Sequence, residues 1–147
     1  LWLVGSGAPY WRAFPARTAW WLPMVYRFLP WLADFHGVLP GRRIGFGGQE
    51  ARGVIRDWSL TGLSGRYAAA GVDVDLEAAM AAATLEAHAI VLAKDWLGPV
   101  SSLRFLMSKL RRVEPRIDVL DANLLGARAD HYAWMKQPAA VADALLR

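Results

Sequence analysis

The feature that most constrains the fold is a continuous apolar run at residues 87–93, Ala-His-Ala-Ile-Val-Leu-Ala. A run of this length without polar alternation is typical of a β-strand buried on both faces of a sheet. Such a strand needs helices on either side of it. Apolar residues at helical spacing predict one helix over residues 76–83 and another that begins at Ser102 as its cap. Pro138 predicts the start of a last helix.

A second strand is predicted over residues 116–121, where Ile117 and Val119 alternate with polar neighbours. From residue 76 onward the order is therefore helix, strand, loop, helix, strand, loop, helix. Strands that alternate with helices form a parallel sheet with helices on both faces. The sequence thus predicts the α/β class.

The chain opens on another apolar run, Leu-Trp-Leu-Val at residues 1–4, which ends in the turn Gly5-Ser6-Gly7. This is typical of the C-terminal part of a β-strand followed by a turn. The run has only four apolar residues and no basic segment before it, so we do not expect it to be a signal peptide. We therefore expect the chain to be the C-terminal portion of a longer protein, and the N-terminal half of the same fold to be its missing partner.

The middle of the chain differs in composition from its two ends. The sequence therefore predicts three regions: a strand and turn at 1–13, a helical cap at 14–70, and the α/β core at 71–147. Pro23 and Pro30 predict that residues 16–36 are broken into two or three short helices. Apolar side chains at helical spacing form one face, at Trp21, Met24, Phe28, Leu32 and Phe35. Such a face either packs in a core or forms an apolar lid over a substrate pocket.

Composition and charge exclude several classes of site. The chain has a net charge of +4 with scattered arginines, which predicts no nucleic-acid partner. It has no cysteine, which excludes thiolate metal sites and fits a reducing, cytoplasmic location. The three histidines lack metal-ligand spacing, so neither a metal nor a cofactor is predicted. The longest uncharged stretch, residues 18–26, is shorter than the roughly 20 residues of a membrane span.

Two side chains that could form a site follow the two core strands. Asp95 comes just after the apolar strand, and His131 lies in the loop after the second strand. Sites of parallel sheets gather at the carboxyl ends of the strands, and this order matches the acid and histidine of a Ser-Asp-His chain order. The carboxylate would orient the imidazole, which would take the serine proton. Alternatively, Asp95 caps the turn at Gly98, and His131 is an exposed loop residue.

The nucleophile of such a triad is missing. The motif Gly-x-Ser-x-Gly occurs nowhere in the 147 residues. Ser6 follows a strand but lacks this motif, so we interpret it as a turn residue. His88 lies within the apolar strand and is predicted to be a core histidine with its polar atoms satisfied. The chain by itself is therefore expected to be inactive.

Several segments resemble one family. They are the opening strand with Gly-Ser-Gly-Ala-Pro-Tyr-Trp, the stretch Pro-Gly-Arg-Arg-Ile-Gly-Phe-Gly at 40–47, Arg-Asp-Trp at 56–58, and Asp-His-Tyr-Ala-Trp at 130–134. Together with the alanine-rich helix before Asp95, they resemble the C-terminal half of an α/β-hydrolase. The group is that of serine aminopeptidase-like or lysophospholipase-like predicted bacterial hydrolases.

This resemblance implies a serine hydrolase that cleaves ester, thioester or amide bonds through an acyl-enzyme. Asp95 and His131 would be its catalytic acid and base, with the serine upstream of residue 1. Its substrate would be a small molecule with an apolar acyl group, contacted by the cap residues Trp20, Trp21, Phe28 and Trp31. The alternative is a non-catalytic α/β-hydrolase-like module that binds a protein or a lipid surface.

Overall fold

The structure, a computed structural model, describes residues 1–44 and 48–147. The helices and strands follow in the order β1 (Trp2–Val4), α1 (Ala16–Ala19), α2 (Leu22–His36), β2 (Val38–Leu39), α3 (Gly41–Ile44), β3 (Glu50–Ala51), α4 (Arg52–Ser64), α5 (Leu76–Ala82), β4 (His88–Leu92), α6 (Val100–Met107), β5 (Arg116–Leu120), α7 (Ala122–Leu125) and α8 (Pro138–Leu145). Short 3₁₀ helices lie at Trp11–Ala13 and Ala133–Lys136. The chain divides into two compact units, residues 1–8 with 78–147, and residues 9–77.

The first unit is built on a three-stranded parallel sheet in the order β1-β4-β5. Trp2 lies opposite His88 in β4, and His88 lies opposite Arg116 in β5. The predicted α/β class with a parallel sheet is confirmed. The predicted strands at 87–93 and 116–121 are each found within one residue of their predicted ends.

Both faces of the sheet are covered, which explains why β4 is apolar along its whole length. Side chains alternate between the faces of a strand. Ala89 and Val91 pack in a cluster that includes Leu103 of α6, whereas Ile90 packs in a second cluster that includes Val141 of α8. A strand placed between two helical layers needs apolar residues at every position.

The predicted cap of α6 is wrong. The helix begins at Val100, with Pro99 before it in an extended conformation, and the Pro99 carbonyl accepts hydrogen bonds from the N–H groups of Ser102 and Leu103. Ser102 is instead a buried residue of the first turn, and its hydroxyl donates to the Ala8 carbonyl at 2.9 Å. Proline at this position already sets the extended backbone that precedes a helix, so no side-chain cap is needed.

The second unit packs α2 and α4 with the antiparallel pair β2–β3. Its core includes Leu29 and Ala33 of α2, Leu39 of β2 and Ile55 of α4. The segment at 40–48, predicted as a loop, contains the short helix α3, and its residues 45–47 lie outside the described residues. The predicted cap region, residues 14–70, falls within this unit.

The segment at 16–36 contains two helices, α1 and α2, as predicted. The predicted break at Pro30 is wrong, because α2 continues through Pro30 to His36. Pro23 lies in the first helical turn, where a missing N–H leaves no bond unmade. Both halves of α2 contribute to one core, through Leu29 before Pro30 and Ala33 after it. This shared burial outweighs the one hydrogen bond that Pro30 removes.

The apolar face predicted for this segment is not the buried one. The fully buried residues of α2 are Leu22, Tyr26, Leu29 and Ala33. Met24, Phe28 and Phe35 of the predicted face are more than half exposed. The helix carries two apolar faces, and residue spacing alone does not indicate which of them packs. No helix in residues 1–44 or 48–147 is long and apolar enough for a membrane crossing.

Candidate functional site

The acid of the candidate site is placed by the turn that ends β4. The Asp95 N–H donates to the Leu92 carbonyl at 2.9 Å and closes this turn. The Lys94 N–H donates to the Ala129 carbonyl, also at 2.9 Å, and so fixes the turn to the loop that carries His131. Two segments that are 36 residues apart in sequence are thereby joined by backbone hydrogen bonds next to the candidate side chains.

His131 and Asp95 are in direct contact. The Nδ1 atom of His131 lies 2.8 Å from Oδ2 of Asp95. An ionised carboxylate only accepts hydrogen bonds, so Nδ1 carries the proton in this contact. The structure therefore brings together the two residues that the sequence proposed as acid and base. We call this pair the dyad.

Both oxygens of the Asp95 carboxylate have hydrogen-bond partners. Its second oxygen, Oδ1, accepts hydrogen bonds from the N–H groups of Leu97 at 2.9 Å and Gly98 at 2.8 Å. The side chain is fully buried, with 0% of its surface exposed. The turn-capping contact and the histidine contact are thus both present, one on each oxygen, and each holds the carboxylate in place for the other.

The glycine turn after β1 closes over the dyad, a role that the sequence did not indicate. A Cβ atom on Gly5 would lie 3.4 Å from Oδ2 of Asp95 and 3.8 Å from Nδ1 of His131. Gly5 also has a positive φ of 53°, which glycine adopts without strain. A Cβ on Gly98 would lie 3.0 Å from the Gly5 carbonyl oxygen. Two glycine backbones thus enclose the carboxylate.

The far side of the imidazole is open. The His131 side chain is 30% exposed, and its Nε2 has no hydrogen-bond partner within residues 1–44 and 48–147. The Trp134 indole N–H donates to the His131 carbonyl at 3.0 Å and fixes the backbone behind the ring. The ring of Tyr132 meets the imidazole edge to face, with centroids 4.8 Å apart.

Asp130 shapes the loop immediately before the histidine. Its Oδ1 accepts hydrogen bonds from the N–H groups of Ala133 at 2.8 Å and Tyr132 at 3.1 Å. These two bonds stabilise the charged form and lower the pKa of Asp130. Asp130 therefore organises the short helical turn that follows His131.

The four aromatic residues predicted to contact substrate belong to the second unit. Trp20, Phe28 and Trp31 are more than half exposed, and Trp21 is half-buried. The rings of Phe28 and Trp31 contact each other, with centroids 5.5 Å apart. Their proposed role in binding an acyl group remains a prediction.

Two other polar residues singled out from the sequence have local partners. His88 contacts Asp118 through Nε2 at 2.8 Å and the Leu145 carbonyl through Nδ1 at 3.3 Å. The Ser6 hydroxyl donates to the Val4 carbonyl at 3.1 Å, as expected for a turn residue. In the part of the chain that the structure describes, no three potential metal ligands cluster.

The dyad has the groups needed for general-base chemistry. Because the proton of the ring sits on Nδ1, the free Nε2 can take a proton from a hydroxyl or a water within hydrogen-bond distance of it. The buried charge of Asp95 would then stabilise the imidazolium. Comparison of the chain with protein-family models, with curated proteins and with solved structures finds no match in any of the three.

Proposed function

We propose that Asp95 and His131 are the acid and base of a Ser-His-Asp triad, and that the chain is the C-terminal portion of an α/β-hydrolase. The observation that carries the proposal is the 2.8 Å contact between Nδ1 and the carboxylate. That contact leaves Nε2, the atom that abstracts the serine proton in such triads, without a partner among the described residues.

The position of the dyad in the fold supports the same proposal. Asp95 follows β4 and His131 follows β5, and these strands are neighbours in a parallel sheet. Acid before histidine is the chain order of the α/β-hydrolases. The second unit, residues 9–77, is inserted between β1 and β4, which fits the cap that the sequence resemblance implies.

In the proposed reaction a serine from upstream of residue 1 attacks the carbonyl carbon of an ester, thioester or amide. His131 Nε2 takes the serine proton as the bond forms, and then donates it to the leaving group as the acyl-enzyme forms. In the second half, the water oxygen attacks the acyl carbon while Nε2 takes a proton from the water. Nε2 then donates this proton to the serine oxygen as the bond between that oxygen and the acyl carbon breaks, which releases the acid and restores the serine. Asp95 keeps the ring in position throughout.

The proposed substrate is a small molecule with an apolar acyl group, since exposed aromatic side chains at Trp20, Phe28 and Trp31 are available for apolar contact. No cofactor is proposed. The absence of cysteine supports a proposed cytoplasmic location. The 147 residues lack Gly-x-Ser-x-Gly, so the chain alone is proposed to be inactive.

The test uses the protein encoded by the complete reading frame that contains these residues. Its hydrolysis of p-nitrophenyl esters with acyl chains of increasing length is measured for the unchanged protein and for His131→Ala. We expect kcat/KM to fall by about 10⁴-fold or more, because the general base is removed. The matched control is His36→Ala, which removes an exposed histidine from the end of α2 and should leave kcat/KM unchanged.

Two results would overturn the proposal. One is a His131→Ala protein that retains full turnover. The other is an upstream sequence with no Gly-x-Ser-x-Gly between a strand and a helix, because the dyad would then have no nucleophile to activate.

A further inference from the structure

Helix α2 has two apolar faces that point in opposite directions. The buried face consists of Leu22, Tyr26, Leu29 and Ala33, spaced four, three and four residues apart. The same spacing, shifted by two residues, gives a second face of large apolar side chains at Met24, Phe28, Trp31 and Phe35. A shift of two residues is a rotation of about 200° around a helix. We call this second face the aromatic stripe.

The aromatic stripe is exposed along its length. The exposed fraction rises from 51% at Phe28 to 73% at Phe35. The ring of Trp31 contacts both neighbours, at 5.5 Å from Phe28 and 6.1 Å from Phe35. With Trp31 in contact with the ring on either side of it, the three aromatic side chains form a continuous exposed apolar surface along the helix, which is unusual on a surface exposed to water.

The segment of the chain that contains this helix is rich in arginine. Between residues 9 and 66 the chain has eight arginines and three acidic residues, and all eight arginines are exposed. Of the acidic residues, Asp34 pairs with Arg56 at 2.7 Å. Glu50 and Asp57 are half-buried, and each accepts a backbone hydrogen bond.

The remaining acidic residues of the second unit lie close together in sequence, at Asp73, Asp75 and Glu77. They are outside the segment that contains α1 to α4. Arg27 is on α2 itself, between Met24 and Phe28 in sequence, and its guanidinium donates to the Pro23 carbonyl at 3.0 Å. A positive charge is thereby held beside the aromatic stripe.

We propose that α2 docks on the surface of an anionic lipid bilayer, with the aromatic stripe among the acyl chains and the arginines at the headgroups. Aromatic side chains with neighbouring basic residues are the composition of helices that lie in the membrane interface. Anionic lipids attract basic residues near the surface. The docking needs neither Asp95 nor His131, but it assigns Phe28 and Trp31 to the bilayer instead of to the acyl group of the proposed substrate.

The shape of the stripe favours a bilayer over a protein partner. The face of a helix is convex, so three large exposed rings on it need a complementary groove on a protein partner, whereas a bilayer accommodates them without one. The net positive charge of the segment is matched by an anionic headgroup layer, which provides the charge complementarity.

The experiment measures sedimentation of the 147-residue chain with lipid vesicles. Vesicles of phosphatidylcholine alone are compared with vesicles that also contain phosphatidylglycerol. We expect binding to be about tenfold or more tighter with the anionic lipid, and to weaken as salt is added. The triple substitution Phe28→Ser, Trp31→Ser and Phe35→Ser should weaken binding by about 100-fold or more.

The matched control is the double substitution Val54→Ser and Leu60→Ser. These residues are also more than half exposed and lie on α4 in the same unit. The control should bind within about twofold of the unchanged chain. Circular dichroism of each variant verifies that its helices are retained.

The proposal is overturned if the unchanged chain does not sediment with anionic vesicles, or if the triple variant binds them equally well. It is also overturned if the unchanged chain does not bind vesicles but forms a dimer, and the triple variant is monomeric. That result would assign the aromatic stripe to contact with a second copy of the chain. None of these results bears on the catalytic roles proposed for Asp95 and His131, because the vesicle experiment does not measure turnover.

Discussion

The first unit contains two His–Asp pairs with the same contact distance and opposite environments. His131 and Asp95, after the carboxyl ends of β5 and β4, are 2.8 Å apart, and His88 and Asp118, on β4 and β5, are also 2.8 Å apart. In the dyad the acid is buried and the histidine is 30% exposed. In the second pair the histidine is 11% exposed and the acid is 33% exposed.

The two pairs differ in whether the second ring nitrogen of the histidine has a hydrogen-bond partner. Nδ1 of His88 faces the Leu145 carbonyl, so both nitrogens of that ring are occupied. Nε2 of His131 has no partner among the described residues. A short His–Asp contact alone is therefore not sufficient for the proposed role as a base, which also needs an unoccupied Nε2. Matched substitutions in the two pairs should consequently have different effects.

The largest effect is expected from Asp95→Asn in the complete protein. An asparagine amide can donate to the ring and favour the tautomer whose Nε2 carries the proton and cannot act as a base. We expect kcat/KM to fall by about 10⁴-fold. Asp118→Asn changes the other pair in the same way and should lower kcat/KM by no more than about threefold. Equal losses in the two variants would mean that the dyad is not the catalytic pair.

The next effect concerns the stability of the 147-residue chain. Asp95→Ala leaves the N–H groups of Leu97 and Gly98 and the Nδ1 of His131 without their buried acceptor. We expect the free energy of unfolding in urea to fall by about 3–5 kcal/mol. Asp118→Ala removes a partly exposed acid and leaves only Nε2 of His88 without an acceptor, so it should cost less, about 1–2 kcal/mol. A larger loss for Asp118→Ala than for Asp95→Ala would contradict the burial that distinguishes the pairs.

A smaller effect is expected from the glycine that closes over the dyad. Gly5→Ala places a Cβ at a positive φ and 3.4 Å from the Asp95 carboxylate. Gly37→Ala places one at a similar φ of 76°, with nothing within 4 Å. Both should lose about 1–2 kcal/mol of unfolding free energy from backbone strain. Only Gly5→Ala should also shift the His131 ring resonances, and unchanged resonances would show that the turn does not confine the dyad.

The smallest effect is the pH dependence of the second pair. The hydrogen bond from His88 lowers the pKa of Asp118, and the charge of Arg116 adds to this effect. A lowered carboxyl pKa contributes stability that is present above the ordinary aspartate range and is lost as the pH falls through the folded-state pKa. Asp118 is partly exposed, so the contribution should be about 1 kcal/mol or less. Urea unfolding at a series of acidic pH values should show a difference between the unchanged chain and Asp118→Asn that disappears as the pH falls. A constant difference would contradict this assignment.

The sequence was sufficient to predict the parallel sheet and the proximity of Asp95 and His131, and both predictions have a physical basis. A strand buried on both faces must be apolar throughout, so residues 87–93 could be recognised without a partner. Side chains that follow neighbouring parallel strands meet at one edge, so Asp95 and His131 could be paired across 36 residues.

What could not be predicted depends on contacts between distant parts of the chain. Pro30 stays inside a helix because its two flanking turns share one core. The buried face of α2 was not predicted, because two apolar faces with identical spacing give the same periodicity. The role of Gly5 depends on the approach of a turn to residues about 90 or more positions away. The one signal in the sequence was that a glycine directly follows a predicted strand, which is typical of a tight turn.

The central claim is that Asp95 holds His131 in the tautomer whose Nε2 is unprotonated and free. Long-range ¹H–¹⁵N NMR of the 147-residue chain at mildly alkaline pH reports which ring nitrogen carries the proton. We expect a protonated Nδ1 and an unprotonated Nε2 for His131, with this preference lost in Asp95→Asn. A proton on Nε2 in the unchanged chain, or the same spectrum in Asp95→Asn, would contradict it.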